Sequence, residues 1–165
     1  MSEIVIRDAS EDDVPAMNAI YNQYIVDSHV SFDTEPWTDE QRLAWFRSRS
    51  EAGYPVLVAA DGPEVIGSSW SGPWRDKAAY RLTVETTVVL APGRSGTGIG
   101  SALYAWLHEE LRRRGFRVAI GIVALPNDAS IALHEKHGYR EVGVLEGVGF
   151  KDGVFYSTML LEKQL

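Results

Sequence analysis

The stretch RSGTGIGS, residues 94–101, follows the apolar run TTVVL (86–90) and leads into an amphipathic pattern beginning at Ile99. Gly96, Gly98 and Gly100 alternate with small or apolar residues, so the chain can turn tightly there and leave its amides bare. Amides exposed by such a turn and aimed at a helix N-terminus form a cradle for an anion. Two familiar phosphate loops do not fit. A P-loop needs lysine after its second glycine, and with Gly93 and Gly98 in the right spacing, Ile99 stands in that place. A dinucleotide fingerprint belongs after the first strand, with an acidic residue some way on; here the loop follows the fourth expected strand, and RGFRVAIG (114–121) occupies the later region. What remains is a pyrophosphate held with neither magnesium nor hydride chemistry, which suits coenzyme A.

Outward from the loop, the pattern alternates between sheet and helix. EIVIRDA (3–9) reads as a strand, and Ser10 with Asp13 resembles a capping box opening a helix to about Val26. Thr38 with Gln41 makes a second box, for a helix that stops at Gly53. YPVLVAA (54–60) and EVIGSSWSG (64–72) are strands around the turn DGP, and AAYRLTVETTVVLA (78–91) is a long central strand. After the loop come a helix through Leu111 ending in RRRG, the strand RVAIGIVA (117–124), and the helix NDASIALHEKHG (127–138). Residues 139–162 read as a strand, a loop and a final strand. The expectation is an α/β protein with a mixed central sheet of about seven strands and about four helices.

Composition narrows the function. A chain of 165 residues fits one domain, 1–165. Zero cysteines excludes disulfides, thiolate zinc sites and a cysteine nucleophile. A net charge of -7 argues against nucleic acid as a partner. No apolar run is long enough for a membrane helix, and MSEIVIRD lacks the basic and apolar regions of an export signal, so a cytoplasmic location is expected. No metal is expected.

The loop resembles that of the GNAT acetyltransferase superfamily, with Gly98 and Gly100 at the two small positions and Ser95 where glutamine or arginine is usual, beside Arg94. Over nearly its whole length the chain is similar to the phosphinothricin and methionine sulfoximine acetyltransferase group. IYNQYI, VSFDTEP, YPVLVA, SGPWRDKAAYRLTVETTV, GIGSALY, LPNDASIALHEKHGY and GFKDG carry the likeness. The resemblance implies the GNAT fold with its sheet splayed at the acetyl-CoA site, acetyl-CoA as co-substrate, and a homodimer. The cradle for acetyl-CoA would be Arg94, Ser95, Gly96, Thr97, Gly98, Ile99, Gly100 and Ser101. Asn127 and Ser130 would hold its pantetheine arm or cap the helix.

Glu85 interrupts an apolar strand. Either it faces solvent, or it is a general base, since partial burial raises a carboxylate toward the working pH. The resemblance implies the second. His134 falls where the group carries histidine near the thioester sulfur; it serves the leaving thiolate or simply packs its helix. His29, His108 and His137 read as surface residues. Backbone amides of Val88, Val89 and Leu90 are the expected donors to the developing oxyanion. With no cysteine to carry an acyl group, direct attack in a ternary complex is favoured. Arg75 and Lys77, with Tyr80, match cationic positions that grip the acceptor's anionic groups, or else form solvated surface. Phe32 would wall the methylene chain and Thr87 add a hydroxyl. The expected reaction is acetylation of the α-amino group of a small anionic amino-acid analogue. A polyamine or protein N-terminal acetyltransferase, or a non-catalytic acyl-CoA binder, is the alternative.

Overall fold

The computed structural model describes residues 4–165, so Glu3 of the expected first strand lies outside the described residues. Seven strands form one sheet in the order β1-β2-β3-β4-β5-β7-β6. β1 (Ile4–Asp8), β2 (Val56–Asp61), β3 (Glu64–Pro73) and β4 (Thr83–Leu90) make an antiparallel half. β5 (Val118–Ala124), β7 (Val154–Gln164) and β6 (Arg140–Lys151) make a second antiparallel half. The halves meet at β4 and β5, which are parallel. A parallel pair requires a crossover, and α3 (Ile99–Arg113) supplies it. The mixed sheet with four helices is the architecture expected.

Each face of the sheet has its own core. α1 (Val14–Asp27) and α2 (Asp39–Glu51) bring Val14, Met17, Ile20 and Phe46 against Val56, Val58 and Trp70. α3 covers the other face with Leu103, Leu107 and Leu111, four residues apart and fully buried against Leu57, Val84 and Leu161. Burying each such side chain stabilises the fold by roughly 1.5–3 kcal/mol. α4 (Asp128–Lys136) adds Ile131 and Leu133 at the edge of this core.

The local signals act largely as read. Thr38 Oγ1 accepts from the Gln41 amide at 3.2 Å, and Gln41 Oε1 accepts from the Thr38 amide at 2.9 Å, a reciprocal cap for α2. The Ser10 amide donates to Asp13 Oδ2 at 2.8 Å, but this box opens a 3-10 turn, Glu11–Asp13, ahead of α1. Two boundaries differ from expectation. Residues Ala78–Tyr80 form a 3-10 turn, closed by the Tyr80 amide on the Lys77 carbonyl, and the strand starts only at the β-branched run from Thr83. The loop expected between the last strands is a tight turn: Asp152 and Gly153 both adopt left-handed backbone, φ 50 and 79, as a two-residue hairpin requires.

Candidate active site

β4 and β5 pair only at Thr83–Val118, Val84–Ala119 and Glu85–Ile120. Beyond Glu85 the two strands part, β4 staying with β3 and β5 with β7. The sheet is therefore split by a wedge that starts at Glu85. Ladder geometry says which β4 groups face it, because backbone groups of alternate residues point to opposite flanks. The Leu82 carbonyl accepts from the amides of Arg117 and Val118 where β5 begins, the Leu90 carbonyl accepts from Tyr24 Oη at 2.7 Å, and the Ala91 amide goes to the Ile66 carbonyl on β3. On this alternation the amides of Val88 and Leu90 face the open side, and that of Val89 faces β3.

The glycine loop closes the wide end of the wedge. Gly98 is the N-cap of α3 at φ 85, a left-handed conformation open to glycine. It brings no capping side chain, and the first turn of α3 carries no acidic residue. The leading amides of this 15-residue helix are thus left for an anion from outside. A cleft of about 870 Å³ runs from Ser95, Gly96, Gly98, Gly100 and Ser101 along Thr87 to Leu90 and reaches Glu85, His134 and Phe32. Asn127 and Ser130 line it too, and Asn127 Oδ1 caps α4 by accepting the Ser130 amide at 3.1 Å. Arg94 is directed elsewhere, with Nη1 3.5 Å from Asp61 and Nη2 3.8 Å from Glu64 on the β2–β3 hairpin. Thr97 Oγ1 donates to the Arg94 carbonyl at 2.6 Å, and Ile99 is buried in the core beneath the loop.

Glu85 is half-buried on the face that carries α1 and α2. Burial pushes its carboxyl above the ordinary glutamate range, and the Arg49 guanidinium from α2 pulls it partly back. Room for Arg49 comes from Gly72, the cross-strand partner of Glu85, where a Cβ would lie 2.8 Å from Nη2. Arg49 also lies over the Trp45 ring, 4.6 Å from its centroid. A carboxylate with raised affinity for a proton, lining the cleft where the two strands part, can take a proton from an ammonium near neutral pH.

On the opposite face His134 is almost wholly buried. Its Nδ1 lies 2.7 Å from the Ser130 carbonyl, an acceptor only, so Nδ1 carries the hydrogen. Nε2 then accepts from Tyr104 Oη at 2.9 Å. Burial holds the ring's proton affinity below the usual histidine range, so it is neutral, and both nitrogens are engaged. Beside it Tyr139 Oη bonds Thr86 Oγ1 at 2.8 Å and His108 Nε2 at 2.9 Å. His108 is not the surface residue expected: burial, with His137 and Lys163 adding to it, takes its pKa down to about 3. His137 bonds Ser101 Oγ at 2.9 Å, and His29 stacks on Tyr156, so neither is idle surface.

Arg75, Lys77 and Tyr80 are not brought to the cleft. With Trp74 and Asp76 they line a second concavity of about 550 Å³ that shares no lining residue with the first. Tyr104, Tyr21, Tyr24 and Arg49 escaped the sequence reading, since nothing local distinguishes them from core or surface residues. Among the described residues no group of three or more His, Asp or Glu side chains is gathered to hold a metal, and no helix is long and apolar enough to cross a membrane.

Comparison with known proteins agrees with this geometry. Residues 17–139 match the acetyltransferase (GNAT) family. The chain is 40% identical to a phosphinothricin N-acetyltransferase of Streptomyces coelicolor, across 99% of this chain and 98% of that protein. It is 35% identical to an L-methionine sulfoximine/L-methionine sulfone acetyltransferase of Pseudomonas paraeruginosa, across 97% and 94%. A solved GNAT superfamily phosphinothricin acetyltransferase from Sinorhizobium meliloti, in complex with acetyl-CoA, superposes with a TM-score of 0.95 at 30% identity, covering 100% of this chain and 89% of that one. By its splayed sheet, its bare helix end and these full-length relatives, the chain belongs to the acetyltransferase (GNAT) family.

Proposed function

We propose that residues 1–165 act as one acetyltransferase domain that moves the acetyl group of acetyl-CoA to the α-amino nitrogen of a small anionic amino-acid analogue. Phosphinothricin, methionine sulfoximine and methionine sulfone are the acceptors named by its relatives. One observation carries the reading: a single cleft joins the uncapped start of α3 to the half-buried carboxylate of Glu85.

The residues present fit the co-substrate. Amides at Gly98 to Ser101 and the dipole of α3 would take its diphosphate, and its pantetheine arm, with polar amides on an extended chain, would lie along Asn127 and Ser130 beside Ala129, Ala132 and Leu133. Acetyl-CoA supplies an acyl thioester, whose carbonyl carbon accepts the amine and whose thiolate departs. Glu85 takes the proton that makes the incoming ammonium a nucleophile. Amides of Val88 and Leu90 donate to the oxygen on which negative charge gathers. Tyr104 lines the cleft, and its hydroxyl, turned from His134 Nε2 to the departing thiolate, is the donor that group needs. Transfer is direct, in a ternary complex, since the chain has no cysteine to carry the acyl group. Arg75 and Lys77 draw the acceptor's anionic end toward the mouth of the site, and such cations disfavour a polyamine. The reading also holds the protein to be a cytoplasmic homodimer. Exposed Val142, Val144, Val148, Phe150 and Phe155 on the β6–β7 hairpin are the apolar surface a second copy would cover.

A turnover screen tests this: acetyl-CoA with amino-acid analogues and with polyamines, read by free-thiol release. Turnover with the anionic analogues is the expected result; turnover with polyamines alone, or with no amine, contradicts it.

A further inference from the structure

GFKDG, residues 149–153, belongs to the resemblance but not to the chemistry above, and the structure gives two of its residues unusual surroundings. Lys151 lies on β6 with 4% of its surface exposed, and no carboxylate pairs with it among the described residues. An ammonium is costly to bury unless all its donors are met. Here all are: Nζ donates to the carbonyls of Ile25 at 2.6 Å, Ser28 at 2.9 Å and Ser31 at 2.8 Å. Ile25 is in the last turn of α1, where carbonyls lack helical partners and a cation is favoured. The other two acceptors belong to the segment that leaves the helix, more than a hundred residues away in sequence.

That segment forms one wall of the cleft through Val30, Ser31 and Phe32. Phe32 rests on Gly149, two residues before Lys151, where a Cβ would lie 2.3 Å from Cε2 of the ring. The same stretch is tied at its start by His29 Nε2, 2.8 Å from the Pro126 carbonyl, and by that ring's stacking on Tyr156 at 4.8 Å.

We infer that Lys151 is a positioning residue for the acceptor: with Gly149 as the seat, its ammonium fixes segment 28–33 so that Phe32 sets the length and shape of side chain the site admits. The inference rests on the acceptor reading proposed above. Lys151 touches no reacting atom; it acts through Phe32.

The test uses the full chain. Lys151→Met removes the three donors while keeping the stem, Lys151→Arg keeps a cation, and Gly149→Ala unseats Phe32 with Lys151 intact. Thiol release gives KM and kcat for acceptor and acetyl-CoA separately, and hydrogen exchange follows the amides of 28–34 without substrate. Lys151→Met and Gly149→Ala should raise acceptor KM by roughly ten- to a hundredfold while acetyl-CoA KM stays within about twofold. Exchange across 28–34 should quicken in Lys151→Met, and Lys151→Arg should recover part of both losses. Equal rises in the two KM values, or no change in acceptor KM and exchange, overturns the inference. Should Lys151→Met fail to fold, Gly149→Ala decides by the same split in KM. If the unaltered protein acetylates no amine, the proposed function fails, while exchange at 28–34 still decides whether Lys151 anchors the segment.

Discussion

The imidazole of His134 lies directly over Gly121 of β5, so close that a Cβ there would fall 2.5 Å from Nε2. Only a residue without a side chain lets the ring reach Tyr104 across the strand. Gly121→Ala should therefore push the ring away and break the 2.9 Å bond to Tyr104. We expect a loss of about 1–3 kcal/mol in stability from overpacking. We also expect kcat to fall by on the order of tenfold or more, since a Tyr104 hydroxyl displaced with the ring no longer reaches the departing thiolate. Thermal unfolding and thiol-release kinetics measure the two effects. An unchanged kcat would place the Tyr104–His134 pair outside the reaction.

Arg49 and Glu85 share a face because Gly72 leaves the space between them open. A base works only when deprotonated, so kcat/KM should fall as pH drops through the pKa of Glu85, which burial has raised. Arg49 opposes that rise. Arg49→Gln should therefore move the acid limb of the profile to higher pH, leaving the plateau at alkaline pH close to that of the unaltered protein. A limb that stays in place would mean another group controls it.

His108 should make the fold acid-sensitive. Its pKa is about 3 in the folded protein, against 6.5 for the free side chain, so the unfolded chain binds more protons between those values. Stability must then fall as pH drops below about 6.5 and keep falling toward 3. His108→Gln keeps a group that can bond Tyr139 and removes the titration. Its Tm should decline less between pH 7 and pH 5 than that of the unaltered protein, and parallel declines would refute this origin.

In the function proposed above, the cations of the second concavity bear on the acceptor alone. Acting through its charge at a distance, Arg75→Ala should raise KM for an anionic amino acid by roughly two- to fivefold at low salt, an effect that fades at high salt, with little change for acetyl-CoA. Equal changes for both would remove Arg75 from acceptor binding.

Local signals made much of this fold legible. The box at Thr38 and Gln41, the stop at Gly53 and the β-branched run from Thr83 each act within a few residues, where propensity decides. Glu85 stood out because an acidic residue in an apolar strand needs a reason. Arg49, Tyr104 and Lys151 did not, because their partners lie far along the chain. Lys151 looks like any hairpin lysine until α1 ends against it. A subtler signal was present. Gly72, Gly121 and Gly149 each interrupt a strand, and interior strand glycines mark places where something approaches closely. The approaching groups are Arg49, which acts on Glu85, and His134 and Phe32, which line the cleft.

The proposed reaction turns on Glu85, which would take the proton from an amine while the start of α3 holds the acetyl donor. Glu85→Gln, assayed at neutral pH beside a direct binding measurement with acetyl-CoA, tests it most sharply. The prediction is a fall in kcat on the order of a hundred- to ten-thousandfold with acetyl-CoA affinity retained. An undiminished kcat, or a loss explained by failure to bind acetyl-CoA, would contradict it.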